Sequence, residues 1–406
     1  MRIMFLGIGS FRGKAVTVLL VFCLFIFFLS RGVRNYNERI ISMELISLNY
    51  QGNISISQKE LLSAIQEQFN KAKLIKGNET NCLYKLVLNT RKGSKTFIFS
   101  DPGRLVEPLT GNIYILGDGG RCLESDLKKL EALNPYGEFL RWDEAKEIFC
   151  KYDKARVIDF ETGMSFMVQR RAGSYHADVQ PLTAEDSAVM KIIYGGKWSW
   201  RRRAIIVEVR GHRLAASMNG MPHGAGAIAN NDFAGHFCIH FRDSKTHSNE
   251  DNLAHQIMVW KAAGKVMEKL AGAKPEYVMQ VMLVAMEQSD PGLAAKLFAP
   301  SQEWPEAKTT EELTKIKWLA VSKISQPKIE DNTAKLNLIA SYGLADGTRA
   351  QNRRHTFILN KDQKTGLWRI DPSSLEEMLL KQTTADGTDS DLADTVYSDW
   401  YIDNSL

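Results

Sequence analysis

The pattern of hydrophobic and polar positions divides the chain into one long apolar run and a body of mixed helices and strands. The run covers residues 15–29, and Thr17 is its only polar residue. A membrane-spanning helix needs about 20 apolar residues and a signal-peptide core about 7–15, so this run lies at the border between the two. No small-residue cleavage signature follows it. The preferred interpretation is therefore an uncleaved anchor, and a cleaved signal peptide is the alternative.

An anchor at this position predicts where the rest of the protein lies. No second apolar run of spanning length follows residue 35. A single N-terminal span usually leaves a long following domain outside the membrane. We therefore expect a single-pass protein of the cell membrane, in contact with the cytoplasmic membrane through one helix, with an extracytoplasmic body.

The periodicity of the body predicts a multidomain α+β protein. Residues 57–73 carry an apolar stripe at helical spacing, and residues 84–88 and 96–99 resemble strands. Alternating runs such as 204–209 follow, and then a long helical pattern at 276–287 precedes further strands. The expected domains are a membrane anchor (1–35), a small α/β module (36–150), a β-rich domain (151–270), an α+β module (273–380) and an acidic flexible tail with six aspartates (381–406).

Composition removes several functional classes. The 406 residues are 44% hydrophobic and 24% charged, which is typical of globular protein and excludes a disordered or fibrous chain. The formal net charge of +5 is too small to indicate nucleic acid, so no nucleic-acid partner is predicted. Five cysteines are too few for a disulfide scaffold, and any pairing among Cys82, Cys122 and Cys150 stays open.

Histidine is concentrated in the β-rich domain, which holds seven of the eight in the chain. Histidine titrates near neutral pH and serves as acid, base or ligand, so this domain is the expected place of chemistry. Its histidines are His176, His212, His223, His236, His240, His247 and His255.

The most specific motif places a His-Gly pair upstream of a His-x-Cys-x-His cluster. His223 and Gly224 form the pair, and His236, Cys238 and His240 form the cluster. A cysteine nucleophile needs a nearby imidazole to hold it as a thiolate and to protonate the leaving amine. In a strand, the three cluster residues would share one face because side chains alternate. The spacing predicts a cysteine site.

This motif resembles the catalytic core of L,D-transpeptidases, the YkuD-like domain. The resemblance implies that Cys238 is the nucleophile, that His223 is the general base and that the carbonyl of Gly224 orients this base. It also implies that His236 is the second motif histidine. The family acts outside the membrane on peptidoglycan stem peptides without a cofactor, so none is predicted.

The C-terminal module resembles a second family by its order of elements. Helices come first, and antiparallel strands follow up to residue 370. This order is similar to the cone-shaped α+β fold of nuclear transport factor two-like proteins, which often serve as accessory modules on bacterial surface proteins. No partner of the module is identified.

Three departures from the transpeptidase motif define the alternatives. Gly235 stands where Ser or Thr is usual, Phe237 where Gly is usual and His240 where Arg is usual. The expected function is an anchored cysteine acyltransferase or peptidase of the cell wall. The first alternative is a non-catalytic cell-wall-binding or scaffold protein.

A second alternative is a zinc-dependent peptidase. His176 and Asp178 are candidates for binding substrate together with His240. The same residues with His236 supply enough nitrogen and oxygen ligands for a catalytic metal. However, zinc peptidases that cleave stem peptides usually place an Asp seven residues after the His, and Thr183 occupies that position here. No metal is therefore predicted.

Overall fold

The structure is a computed structural model that describes residues 38–50, 52–77, 79, 82–380 and 397–398. The chain divides into two compact units, Met1–Asn134 and Pro135–Leu406. The predicted anchor at residues 15–29 lies outside the described residues, as does the acidic tail apart from one short strand. Within the described ranges, no helix combines the length and the apolar character needed to cross a membrane.

The first unit is an antiparallel sheet with helices packed on one face. Alternate residues such as Met43, Leu45, Phe97 and Phe99 form its core with the helices. The elements are β1 (Ile40–Ser47), β2 (Asn53–Ile56), α1 (Lys59–Lys71), β3 (Lys73–Lys76), β4 (Tyr84–Thr90), β5 (Gly93–Phe99), β6 (Arg104–Glu107), β7 (Asn112–Ile115), a 3-10 helix (Gly117–Leu123) and α2 (Glu124–Ala132). The strand order is β2-β1-β4-β5-β6-β7-β3.

This unit differs from the small α/β module that the sequence predicts. Every strand pair in it is antiparallel. Parallel strands need crossover connections of about a dozen residues or more, whereas β4–β5 and β6–β7 are joined by short turns. The unit is therefore α+β.

The second unit begins with a closed antiparallel barrel of six strands. The strands run around the barrel in the order β10-β13-β12-β11-β8-β9. The elements are α3 (Trp142–Ile148), β8 (Lys154–Asp159), β9 (Ser165–Ala172), β10 (Ala177–Pro181), α4 (Ala184–Ile193), β11 (Arg203–Val209), β12 (His212–Met218) and β13 (Phe237–His240).

Helix α3 belongs to the barrel, although the sequence places it in the preceding module. Trp142, Ala145 and Phe149 pack into the barrel core. The division between the two units accordingly falls after Asn134, not at residue 150. Helical periodicity shows that a helix has an apolar face, but not which sheet will bury it.

A curled half-barrel sheet covered by helices completes the second unit. Its strands follow the order β18-β17-β16-β14-β19, and β15 pairs with β16. Register shifts between β14 and β16 and between β16 and β17 bend the sheet. The elements are α5 (Leu253–Ala262), α6 (Val266–Leu270), α7 (Pro275–Glu287), α8 (Pro291–Ala295), α9 (Glu306–Thr314), β14 (Ile316–Ser325), β15 (Lys328–Glu330), β16 (Thr333–Leu344), β17 (Arg349–Lys361), β18 (Trp368–Ile370), α10 (Pro372–Leu380) and β19 (Tyr397–Ser398).

Strand β11 of the barrel lies between two hydrophobic cores. Ile205 and Val207 point into the barrel, whereas Ala204 and Ile206 pack with the helices of the C-terminal part. This alternation follows from the two-residue period of a strand. The same alternation on β13 positions the candidate site.

Candidate active site

Cys238 is positioned by the alternation of side chains along β13. Phe237 and Ile239 pack into the barrel core, so Cys238 and His240 point to the opposite face. Strand β13 is held on both sides, by β10 and by β12. Cys238 is only 3% exposed. The candidate nucleophile is therefore fixed in place and almost enclosed.

A two-residue bridge places His223 beside His236. The main-chain N–H of each residue donates to the carbonyl oxygen of the other, over 2.9 and 2.8 Å. Gly224 has φ +61°, and a Cβ there would lie 2.4 Å from Cε1 of His236. Gly235 has φ +118°, and a Cβ there would lie 2.4 Å from the carbonyl oxygen of His223. Only glycine fits both positions.

The structure brings His223 and Cys238, the base and nucleophile that the sequence predicts, into contact. Nε2 of His223 lies 3.2 Å from Sγ of Cys238, and Nδ1 lies 2.8 Å from the carbonyl oxygen of Met221. Because a carbonyl oxygen only accepts, Nδ1 carries the ring proton and Nε2 presents its lone pair to the thiol. The orienting carbonyl belongs to Met221, not to Gly224 as the resemblance implies. Gly224 instead leaves room for His236.

The resting pair is a neutral thiol beside a neutral imidazole. Burial raises the pKa of the Cys238 thiol, and the nearby Asp178 carboxylate raises it further. Contact with Asn219 and the charge of Arg202 act in the opposite direction. Burial lowers the pKa of the His223 imidazole. The thiolate expected from the sequence is therefore not the resting state.

His236 and Asp178 add a nitrogen and a carboxylate oxygen beside the sulfur. Nδ1 of His236 lies 3.1 Å from the carbonyl oxygen of Ala225, to which it donates. Nε2 of His236 is buried without a hydrogen-bond partner in the described part of the chain, and it lies 3.8 Å from Oδ1 of Asp178. Burial raises the pKa of the Asp178 carboxyl, but the neighbouring histidines, His176 foremost, bring it below its ordinary value.

His247 joins the site from a loop, and sequence reasoning did not select it as a site residue. Its Nε2 lies 3.5 Å from Sγ of Cys238 and 4.0 Å from Oδ1 of Asp178. The side chain is 57% exposed. The loop between β13 and α5 turns back through a main-chain hydrogen bond from Thr246 to Glu250. The sequence distance between a strand residue and a residue on a loop that folds back is not fixed. The only sequence signal for His247 was therefore its position in a histidine-rich segment.

The predicted substrate-binding residues form the buried floor of the site. The ring of His240 is stacked between those of His176, at 4.5 Å, and His255, at 3.7 Å, with interplanar angles of 9° and 8°. At one end of this column, Nε2 of His176 lies 3.1 Å from Oδ1 of Asp178. At the other, Oγ of Ser217 lies 2.9 Å from Nδ1 of His255. Burial lowers the pKa values of His240 and His255, so both rings are neutral.

Six of the seven histidines of this domain thus lie in one connected group of rings. The exception is His212, an exposed residue whose Nδ1 lies 3.0 Å from Oε1 of Glu138. The six connected residues are His176, His223, His236, His240, His247 and His255.

A cavity of about 550 Å³ opens onto Cys238. Trp200 forms part of its wall, and its ring centroid lies 5.0 Å from that of His223. Asn219 is buried in the wall beside the sulfur. The loop around Thr246 closes another side. His223 and Cys238 both line this cavity.

Arg202 is the positively charged group of this cavity. Its neighbours in the sequence are engaged elsewhere, since Arg203 pairs with Asp159 at 2.6 Å and Arg201 donates to Ser289 at 2.6 Å. Arg202 lines the cavity, and its Nε is buried without a hydrogen-bond partner among the residues described. Burial lowers its pKa, but a guanidinium stays charged at neutral pH. An anionic group of a ligand would complete its contacts.

The other three cysteines of the described residues lie outside the site. Cys82, Cys122 and Cys150 are free thiols that are half-buried. None of the pairings left open by the sequence is formed in the described residues. Cys150 lies in the same unit as Cys238 and is a suitable comparison thiol.

In comparisons with known proteins, no family model and no curated protein matches this chain. The similarity to L,D-transpeptidases is thus carried by the residues around His223 and Cys238 alone.

Proposed function

We propose that the protein is a cysteine acyltransferase or peptidase that acts on peptide amides through an acyl-enzyme. The observation that carries this proposal is the 3.2 Å contact between Nε2 of His223 and Sγ of Cys238, with Nδ1 held by the Met221 carbonyl. A nucleophile, a base and a group that orients the base are the parts that thiol catalysis requires.

The first half of the reaction forms the acyl-enzyme. Sγ of Cys238 attacks the carbonyl carbon of the amide while Nε2 of His223 accepts the thiol proton. The carbonyl oxygen becomes an oxyanion, to which the amide of Asn219, in the wall beside the sulfur, can donate. When the intermediate collapses, His223 gives the proton to the leaving amine, the C–N bond breaks and a thioester remains on Cys238.

The second half of the reaction releases the acyl group. An amine or a water molecule attacks the thioester, and His223 accepts a proton from it. The C–S bond breaks and the thiolate of Cys238 takes that proton back, which restores the neutral pair. An amine acceptor gives a new peptide bond, and water gives hydrolysis.

Peptidoglycan stem peptides are the proposed substrates, in an extracytoplasmic location. Two observations support a carboxylate-bearing peptide. The cavity is large enough for several residues of an extended chain, and Arg202 is the basic residue of its lining. Arg202→Gln should therefore raise the KM for a substrate with a carboxylate next to the scissile bond, and should have less effect on its amidated form.

Turnover of a synthetic stem tetrapeptide by the chelator-treated full chain tests the proposal. The wild type should release the terminal residue. Cys238→Ala should show none, whereas Cys150→Ala, which removes another thiol of the same unit, should match the wild type. Turnover that persists in Cys238→Ala would reject the cysteine mechanism.

One observation favours a second candidate, a non-catalytic protein that binds the cell wall. Cys238 is only 3% exposed, and a buried neutral thiol is unreactive on its own. Such a protein would bind purified peptidoglycan but release nothing from it. Wild-type binding that is unchanged in Cys238→Ala, together with no turnover in either, would support this candidate.

A further inference from the structure

The cluster around Cys238 brings several metal-binding side chains together. Nδ1 of His223 and Nδ1 of His236 each donate to a main-chain carbonyl, so the Nε2 atom of each ring faces the cluster. The Asp178 carboxylate lies behind them, 3.8 Å from Nε2 of His236 and 3.1 Å from Nε2 of His176. Nε2 of His236 is buried without a hydrogen-bond partner among the described residues, and a bound cation would satisfy it.

The spacing of the donors matches that of a tetrahedral zinc site. Ligand atoms of His223, His236, Cys238 and His247 all lie within 4.8 Å of one another. Sγ of Cys238 lies 3.2 Å from Nε2 of His223 and 3.5 Å from Nε2 of His247. Zinc bonds of about 2.0–2.3 Å would place tetrahedral ligands about 3.3–3.6 Å apart. The set needs only small side-chain shifts to enclose the ion.

The groups behind the donors also match a metal site. Metal-binding histidines usually donate the second ring N–H to a carbonyl or carboxylate, which fixes the orientation of the ring. His223 does so to Met221 over 2.8 Å, and His236 does so to Ala225 over 3.1 Å. Asp178 adds a buried negative charge that would stabilise the cation.

We propose that His223, His236, Cys238 and His247 bind one zinc ion, and that the bound ion switches off the cysteine chemistry. The second part of this proposal, that zinc inhibits the reaction of Cys238 (silencing), rests on the proposed function. Binding forms a Zn–S bond and releases the thiol proton to solvent. A site with four protein ligands has no open coordination position for a substrate or water. The ion also occupies both atoms of the catalytic pair, Sγ and Nε2 of His223.

His247 makes the metal site separable from the catalytic pair. It is the exposed donor of the set and comes from a loop, whereas the other three are fixed by β13 and by the His223–His236 bridge. The loop therefore allows the ion to enter from the cavity. His212 is the matched control because it is an exposed histidine of the same unit outside the cluster.

Zinc titration of the chelator-treated full chain, in competition with a chromophoric chelator, tests the site without any need for activity. We expect one ion per chain. His247→Ala should weaken binding by more than about 10-fold, and His212→Ala should leave it unchanged. Cobalt(II) should give a thiolate-to-metal absorption band that Cys238→Ser removes. Zinc should also block acylation of Cys238 by a β-lactam probe, and chelator should restore it.

The outcomes separate the metal site from the proposed function. No stoichiometric zinc, or equal affinity in wild type and His247→Ala, would overturn the site. Zinc that raises turnover would overturn the silencing and would make this a zinc enzyme. If the metal-free protein neither turns over peptide nor reacts with the probe, the proposed function fails, while the zinc titration still decides the site.

Discussion

The barrel and the curled sheet are both antiparallel and both packed against helices, yet their cavities differ. The cavity inside the curled sheet measures about 10 Å³ and is lined entirely by apolar side chains, among them Leu338 and Phe357. The cavity at the barrel measures about 550 Å³ and is lined mostly by polar side chains, which include five histidines, Arg202, Glu250 and Asp251. The interior of the curled sheet is almost fully packed, whereas the barrel site retains a cavity with polar side chains in its wall.

The barrel site contains buried polar atoms that have no hydrogen-bond partner among the described residues. Buried polar atoms are ordinarily hydrogen-bonded, and unsatisfied ones are costly. At the barrel site, the unsatisfied atoms include Nε2 of His236 and Nδ1 of His240. A ligand, a substrate or a metal ion can satisfy them. We therefore assign function to the barrel and mainly a stabilising role to the curled sheet.

Removing the imidazole of His223, the proposed base, should cause the largest loss in the rate of Cys238 acylation. His223→Ala should lower the rate of Cys238 acylation by about 10²–10⁴, because the neutral thiol then has no acceptor for its proton. Stopped-flow or mass-spectrometric labelling of the metal-free protein measures this rate. A rate within twofold of the wild type would show that His223 is not the base.

Removing an aromatic ring from the core of the curled sheet should lower stability without changing the reaction of Cys238. Phe357→Ala should lower the free energy of unfolding by about 3–5 kcal/mol, because it leaves a cavity in a complete core. Below the melting transition, acylation of Cys238 should stay at the wild-type rate. Denaturant unfolding measures the first quantity, with the exposed Lys335→Ala as control. Slower acylation in folded Phe357→Ala would mean that the two regions are coupled.

Two glycines with similar backbone angles test the positioning of His236. Gly224→Ala and Gly163→Ala both place a Cβ at positive φ, +61° and +68°, which costs roughly 1–2 kcal/mol. Only at Gly224 would the Cβ also meet His236, since nothing lies within 4 Å of it at Gly163. Gly224→Ala should therefore weaken zinc binding as well as stability, whereas Gly163→Ala should affect stability only. Equal zinc affinity in the two variants would contradict this role.

The smallest expected effect is a shift in pH dependence. The base acts only when neutral, and burial lowers the pKa of His223. As pH falls, acylation of the metal-free protein should therefore persist below the ordinary histidine value of about 6.5 and decline only at lower pH. A pH–rate profile measures the midpoint. A midpoint above that value would mean that His223 is stabilised as a cation and not desolvated.

Much of the fold could be predicted from the sequence where an element buries only one face. The helical pattern at 57–73 corresponds to α1 (Lys59–Lys71), in which Leu62 and Ile65 are the buried residues. Strand β10 was not expected. All five of its positions, Ala177–Pro181, are buried, so it shows no alternation, and it contains an aspartate and a proline. Fully enclosed strands carry no period-two signal.

The proximity of His223 and Cys238 could be predicted from the sequence, but the residues around them could not. His223 and Cys238 stand on a glycine-rich turn and a strand, where local spacing determines which side chains meet. His247 returns through a loop, and Arg202 arrives from the segment before β11. Such contacts depend on the closure of the barrel, which no local pattern encodes.

Peptide mapping of the metal-free wild type after reaction with a carbapenem tests the central claim most directly. If Cys238 is the nucleophile that His223 activates, the protein should gain one covalent adduct per chain, located on Cys238. The adduct should be absent in Cys238→Ala and unchanged in Cys150→Ala. A wild type that forms no adduct, or forms it on Cys150, would contradict the account.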